Sequence, residues 1–341
     1  MPHDLAEEAD LIRPMALRVT ATLRLADHLM AGPRSAADLA PQLGVDAGAL
    51  AQLLGYLASI DVVTRAASPQ HGPTPDRREV AFRLRPRGET LRDGGPGSLR
   101  DRLDITTALG RAELSVASLL DAVTTGAPAF VSHYGVPFWT DLGSDADRHA
   151  GYDRQMAADA ERWTAALIPA YPWADLTSLI DVGGGNGTLL AGLLAAVPTL
   201  TGTVLDQEAT AEAAQATLDA AGVGDRGDAV AGNFFDELPA GADAYLLVAV
   251  LHDWNDDAAQ SILARCAQAA GEHGRVLVVE RTGADGEDPS PNMDMRMLAY
   301  FGARERGVAD LIELGRQVGV ELAGVHTAGE LAIIDMRLTA P

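Results

Sequence analysis

Leu179-Ile180-Asp181-Val182-Gly183-Gly184-Gly185-Asn186-Gly187 joins a short, β-rich apolar run to four glycines in five positions. A strand that passes through a glycine-rich turn into a helix is how α/β folds cradle a nucleotide at the carboxyl edge of a sheet. Glycine lacks a Cβ, so the backbone bends sharply there and a ligand approaches to van der Waals contact. A dinucleotide fingerprint, G-x-G-x-x-G, needs Gly183, Gly185 and a glycine or alanine at 188; Thr188 stands there instead, which disfavours a nicotinamide cofactor. Asp181, just ahead of the glycines, suits a ligand with a cationic amino group.

Around this loop the pattern is strands alternating with helices. Gly202 to Leu205, Tyr245 to Leu251 and Arg275 to Val279 are further short apolar runs, separated by helical stretches such as Asp257 to Ala270 with Ile262, Leu263 and Cys266 on one face. That alternation predicts a parallel sheet covered by helices. Val320 to Val325 and Leu331 to Leu338 are linked only by His326 to Glu330, too short for anything but an antiparallel hairpin.

The first hundred residues differ. Leu11 to Leu29 has apolar residues at helical spacing, Ser35-Ala36-Ala37-Asp38 is a capping-box start for a helix that Gly44 ends, and Leu50, Leu53, Leu54 and Leu57 line a second helix over Ala47 to Ser59. A turn-rich stretch from Ala67 to Asp76 precedes Val80, Phe82 and Leu84, which alternate with polar or small neighbours as in a strand. The outline is a winged helix. The second helix holds no Lys or Arg to meet phosphates, so its apolar surplus suits a second subunit better than DNA. From Leu103 to Tyr171 the chain is mostly helical, interrupted by a loop from Thr125 to Gly135, and holds Tyr134, Phe138, Trp139, Tyr152, Met156 and Trp163. The expected domains are 1–102 (winged-helix-like, dimerising), 103–175 (connecting helices that contribute to a substrate pocket) and 176–341 (cofactor-binding and catalytic).

Bulk composition narrows the partners. The 341 residues carry a net charge of −22, which repels nucleic acid and anionic lipid but leaves a neutral aromatic small molecule as a partner. Cys266, the single cysteine, allows no internal disulfide and reads as a core thiol. Met1 to Asp10 has no apolar signal segment and no apolar run approaches a membrane span, so a soluble, cytoplasmic protein is expected, with no metal called for.

Three further positions carry chemistry. Asp206, with Gln207 beside it, ends the second strand of the sheet, where a carboxylate accepts hydrogen bonds from ribose hydroxyls. Asn233 followed by Phe234 and Phe235 suits an adenine, the amide bonding its exocyclic amine and Phe234 stacking on its face, with Phe235 as the competing stacker. His252, in His252-Asp253-Trp254, follows a strand at the cofactor edge and fits a general base for a hydroxyl proton. Glu280 at the end of the next strand, and Glu305 in Ala303-Arg304-Glu305-Arg306, could orient the imidazole, although a solvated surface loop is an equal reading of Glu305.

With these residues in view, the chain resembles the caffeate-type O-methyltransferase family and its bacterial relatives, above all the actinomycete branch that tailors aromatic polyketides, which holds carminomycin 4-O-methyltransferase and aclacinomycin 10-hydroxylase. The likeness runs almost end to end through Arg13 to Val19, Tyr134-Gly135-Val136-Pro137-Phe138-Trp139, Asp181 to Gly187 and Asp294 to Leu298. It implies a class I Rossmann-like methyltransferase sheet behind a winged-helix dimerisation domain, a homodimer, and S-adenosyl-L-methionine as cofactor. It also implies His252 as base with Glu280 and Glu305 in support, Asp206 on the ribose, and Trp139, Tyr152, Met156 and Met297 around the aryl group. Asn233 replaces a frequent Asp and Val248 replaces the plant members' Lys. The retained His252 favours base-assisted O-methylation of a phenol over hydroxylation or decarboxylation. The rival readings are C-methylation or cofactor-assisted hydroxylation on the same substrate class, a winged-helix regulator that binds a metabolite, and a nicotinamide-dependent oxidoreductase.

Overall fold

The computed structural model describes residues 5–66, 76–94, 98–283, 285–287 and 289–338. Most of the turn-rich stretch expected between Ala67 and Asp76, and the first four residues of the charged N-terminus, lie outside them. The chain divides into two compact units, Met1–Leu114 and Ser115–Pro341.

In the first unit, helix Ala36–Leu43 starts on the expected box: the Ser35 side chain accepts from the Asp38 N–H while Asp38 accepts from the Ser35 N–H, and Gly44 ends it at φ 67°. Helix Ala47–Ser59 follows, with Leu50, Leu54 and Leu57 in the core. Strands β1 (Arg34–Ser35), β2 (Val63–Arg65) and β3 (Ala81–Leu84) form an antiparallel wing in the order β1-β3-β2. Phe82 pairs with Arg34 on one side and Arg65 on the other, and its side chain closes the core beneath the helices. The continuous helix expected from Leu11 to Leu29 is instead two, Ile12–Thr22 and Leu25–His28, because Arg24 adopts the left-handed conformation at φ 51° and turns the chain.

The second unit is built on a seven-stranded sheet of order β6-β5-β4-β7-β8-β10-β9. Its strands are β4 (Ser178–Val182), β5 (Thr201–Asp206), β6 (Gly227–Ala231), β7 (Ala244–Val248), β8 (Arg275–Arg281), β9 (Val320–Ala328) and β10 (Leu331–Leu338). The first five are parallel and the last two antiparallel. Successive residues serve opposite faces, as the pleat demands. Ile180, Val182, Tyr245, Leu247, Val276 and Val278 join one core with helices Asp256–Ala270 and Val308–Gln317. Leu179, Leu246, Leu277 and Val279 join the other with helices Thr188–Ala196 and Glu208–Ala220. Burial on both faces is why these strands are nearly continuous apolar runs. Cys266 lies fully inside the first core, where burial pushes its thiol up to about 12, so it is inert packing.

Four boundaries differ from expectation. The loop from Thr125 to Gly135 contains a helix, Ala129–Tyr134, started at Pro128 and stopped by Gly135 in the left-handed region. Strand β7 stops at Val248 rather than Leu251 because Ala249 takes φ 52°. Strand β8 runs on to Arg281, so Glu280 lies inside it instead of ending it. The last hairpin turns on Gly329 and Glu330 alone, Leu331 pairing directly with Ala328, so His326 is a strand residue.

Leu246 is fully buried on the central strand β7. Leu246→Ala is expected to lower stability by about 2–5 kcal/mol, read as a smaller urea midpoint. A midpoint unchanged from the parent would mean the sheet is not the stability core of this unit.

Candidate active site

The parallel strands deliver the chemistry-bearing residues to one edge. Strand β4 ends in Asp181-Val182 and its chain bends through Gly183 to Gly187 into helix Thr188–Ala196. Asp181 is 1% exposed and folds under this loop: a Cβ added at Gly184 would lie 2.5 Å from its Oδ2. Only glycine allows that approach. Oδ2 has no hydrogen-bond partner, and burial, aided by Asp206, raises the Asp181 carboxyl to about 7. A buried acid in that state is completed by a cationic group. Gly185 has φ 59°, and a Cβ there meets no protein atom within 4 Å, so its outer side faces open space.

Asp206 at the end of β5 closes the loop from the other side. Its Oδ2 accepts the Gly185 N–H at 2.9 Å and its Oδ1 accepts the Gln207 N–H at 2.7 Å. Burial raises this carboxyl too, although those N–H donors pull it down. Beyond β6, Asn233 is exposed and its Oδ1 accepts the Phe235 N–H at 3.0 Å, an Asx turn that leaves the side-chain NH₂ outward. Both phenylalanines meet Trp254 edge-on, and Phe234 alone also lies beside the glycine loop. The Phe234 ring lies 3.5 Å from where a Gly183 Cβ would sit, and Phe235 packs against Trp254 with centroids 4.9 Å apart.

His252 stands on a 3₁₀ turn, Leu251–Asp253, that follows the left-handed Ala249. Glu280 Oε1 accepts the Leu251 N–H at 2.9 Å and the His252 N–H at 3.3 Å, while Oε2 lies 3.1 Å from His252 Nδ1. That last pair is at ion-pair distance but off the line of a good hydrogen bond. Glu305 Oε1 is 3.8 Å from the same Nδ1 and its side chain is 1% exposed, so the solvated-loop reading of Glu305 does not hold. The cause is local: its N–H donates to Asp294 Oδ1 at 2.9 Å and its neighbour Arg306 is anchored inside the fold. Burial alone drives an imidazole toward neutrality, yet the charges of Glu280, Asp253 and Glu305 outweigh it and raise His252 from 6.5 to about 10. Burial likewise raises Glu305 and takes Asp253 to about 7, with the imidazolium holding both down in part.

Trp139, Tyr152 and Phe301 gather around the buried Phe138 ring. Trp139 stacks on Phe301 at 5.5 Å with planes 11° apart and meets Tyr152 edge-on at 5.9 Å. Burial, with the charge of Asp253, pushes the Tyr152 phenol up, and helix Pro291–Phe301, which carries Phe301, packs against the His252 turn. Met297 is buried one helical turn before Phe301 on Pro291–Phe301, and Met156 is half-buried one turn after Tyr152 on Ala146–Leu167. Two residues were missed by sequence reasoning. Asp253 Oδ1 lies 3.3 Å from His252 Nε2, the ring nitrogen that points away from the glutamates, and Phe301 completes the aromatic nest. The i, i+4 spacing from Met297 would have signalled Phe301, and adjacency to His252 in His252-Asp253-Trp254 would have signalled Asp253.

The family model described as the O-methyltransferase domain matches residues 116–321, and the one described as the O-methyltransferase dimerisation domain matches residues 9–91. Over 328 residues the chain is 43% identical to the 2,7-dihydroxy-5-methyl-1-naphthoate 7-O-methyltransferase of Streptomyces carzinostaticus, spanning 96% of this chain and 95% of the relative. It is 37% identical over 328 residues to the aclacinomycin 10-hydroxylase RdmB of Streptomyces purpurascens, spanning 95% and 85%. A crystal structure of NcsB1, an O-methyltransferase from neocarzinostatin biosynthesis in complex with S-adenosylmethionine and 2-hydroxy-5-methyl naphthoic acid, superposes with a TM-score of 0.90. It is 42% identical and the match covers 99% of this chain and 100% of that one. The chain belongs to the O-methyltransferase family, with that family's dimerisation domain ahead of its methyltransferase domain.

Proposed function

We propose that this chain is an S-adenosylmethionine-dependent O-methyltransferase that acts on a phenolic hydroxyl of a fused-ring, naphthoate-like aromatic, with His252 as general base. The observation that carries the reading is the His252 imidazole held against the buried Glu280 and Glu305 at the same sheet edge as the glycine loop. The relatives supply the substrate class: a dihydroxynaphthoate methyltransferase and a structure holding a naphthoic acid.

The residues fit the cofactor. The orphaned Asp181 Oδ2 would meet its amino group, Gly183 and Gly185 would give it bare backbone, and Asp206 with Gln207 would hold its ribose. Asn233 and Phe234 would flank its adenine. When bound, S-adenosylmethionine supplies an electrophilic methyl on a sulfonium. Trp139, Tyr152, Met156 and Met297 offer the flat apolar walls a fused-ring acceptor needs.

His252 does the proton work. Once the ring has lost its second proton, a hydrogen on Nδ1 facing Glu280 leaves the lone pair of Nε2, which Asp253 Oδ1 approaches at 3.3 Å, for the acceptor's hydroxyl. In water an ordinary imidazole is weaker than a phenolate by about 3.5 pKa units, roughly 5 kcal/mol uphill for the transfer. The carboxylates around His252 raise it to about 10, close to a phenol, which narrows that mismatch in exchange for a smaller neutral, base-competent fraction at neutral pH. The phenolate so formed carries most of its charge on oxygen, and the relatives named as O-methyltransferases support oxygen over ring carbon as the nucleophile.

Residues 1–102 form the dimerisation unit in this reading, 103–175 feed the substrate pocket and 176–341 bind the cofactor. Leu11, Ile12, Met15 and Met30 expose apolar surface in the first unit, consistent with a homodimer. Among the described residues no helix is long and apolar enough to cross a membrane, and we place the enzyme in the cytoplasm with neither nucleic acid nor membrane as partner.

His252→Ala is expected to lower turnover by about 10²–10⁴-fold with little change in cofactor affinity; full activity would leave proximity alone as the driver. Asp206→Ala is expected to weaken S-adenosylmethionine binding in calorimetry, and an unchanged affinity would remove it from the ribose site. Glu280→Gln keeps an oxygen for the Leu251 N–H but removes the charge. The His252 ring, followed by NMR across pH, is then expected to titrate at lower pH than in the parent; an identical titration would show that Glu280 does not set its basicity.

A further inference from the structure

Arg306 is the second most voluminous side chain among those fully buried, at 1% exposure, and no catalytic step uses it. Its Nη1 donates to the Leu251 carbonyl at 2.7 Å and its Nη2 to the Trp254 carbonyl at 2.8 Å. Those two carbonyls flank His252-Asp253 on either side. Nε and Nη2 also donate to Asp256 Oδ1, at 3.1 and 2.7 Å. From the opposite direction Glu280 takes the N–H groups of Leu251 and His252. The turn is thus clamped by an anion on its amides and a cation on its carbonyls.

Burying a guanidinium is costly, and a single ion pair to Asp256, whose side chain is 49% exposed, returns little of that cost. Packing alone would be served by a methionine of similar length. The turn also begins at Ala249 with φ 52°, a conformation that disfavours any residue with a Cβ and persists only where surrounding contacts over-determine it. Arg306 is adjacent in sequence to Glu305, so one dipeptide sets both a carboxylate 3.8 Å from the imidazole and the backbone on which that imidazole rides.

We propose that Arg306 is the positioning residue of the catalytic turn: its clamp on Leu251 and Trp254 holds His252 Nδ1 against Glu280 and aims Nε2 at the acceptor hydroxyl. The proposal rests on His252 being the base. Without the guanidinium, two buried carbonyls lose their donors and the turn is free to relax from the left-handed start. The imidazole then drifts from Glu280, which lowers its basicity, and Nε2 loses its aim. A misplacement of about 1 Å, caused away from the reacting atoms, costs about 10²-fold in rate.

The test uses the full chain with S-adenosylmethionine and a hydroxynaphthoate acceptor, in Arg306→Met, Arg306→Lys, His252→Ala and the His252→Ala/Arg306→Met double variant. Arg306→Met is expected to lower kcat by about 10–10²-fold while KM for both substrates and calorimetric cofactor affinity stay near the parent's, the signature of an interaction made in the transition state. Arg306→Lys, which keeps the charge but not the fork, is expected to recover part of the rate. The double variant is expected to be no slower than His252→Ala alone, and the His252 NMR titration is expected to move to lower pH in Arg306→Met. An equal rate loss from Arg306→Met in both backgrounds, or a loss confined to KM, would overturn the positioning role. Should Arg306→Met not fold, Arg306→Lys decides the matter: parental kcat with an unshifted His252 titration overturns the proposal. Full activity in His252→Ala would instead sink the base assignment, a different failure, and the NMR titrations would still report whether Arg306 governs the ring.

Discussion

Glu280 holds two things with one carboxylate. One oxygen accepts the Leu251 and His252 N–H groups and so shapes the turn after β7; the other lies 3.1 Å from the His252 ring and sets its charge preference. Because Glu280 sits inside β8, opposite Ala332 of β10 and one residue past the last β7 pairing at Val279, its position is fixed by the sheet and not by a loop. The rest of the site depends on this. A base poised near a phenol's own pKa requires a carboxylate that cannot move away, and a central strand buried on both faces provides one.

The crevice is unusually acidic inside. Asp181, Asp206, Asp253 and Glu305 all have carboxyls raised by burial, which means each would gain from a neighbouring cation. In the proposed reading the donor's cationic amino group supplies that charge at Asp181.

How much of this was written locally in the chain can be judged residue by residue. The Asp181 to Gly187 loop, the capping box at Ser35 and the helix Ala47–Ser59 are encoded within a few positions, and they appear where the pattern put them. The left-handed residues Arg24 and Ala249 carry no such mark, since neither is glycine, and tertiary contacts impose the conformation. Glu305 looked solvated among Arg304 and Arg306 because sequence shows charge but not direction; the fold turns Arg306 inward and Glu305 with it. The partners of the His252 turn lie 28 and 55 positions away, at Glu280 and Arg306. Glu280 was legible as a carboxylate at the edge of the next strand and Glu305 as a second candidate beside it, whereas the Arg306 clamp needed coordinates.

In the reading of His252 as the base, the buried carboxylates around it raise it toward a phenol's own value. The most direct test of that reading is kcat/KM against pH for the parent enzyme with a hydroxynaphthoate acceptor. The neutral ring is the competent form, so a base raised from 6.5 to about 10 predicts a rate constant that climbs steadily through neutrality and is still rising well above it. A profile that breaks near the ordinary imidazole value and stays flat through the alkaline range would contradict the account.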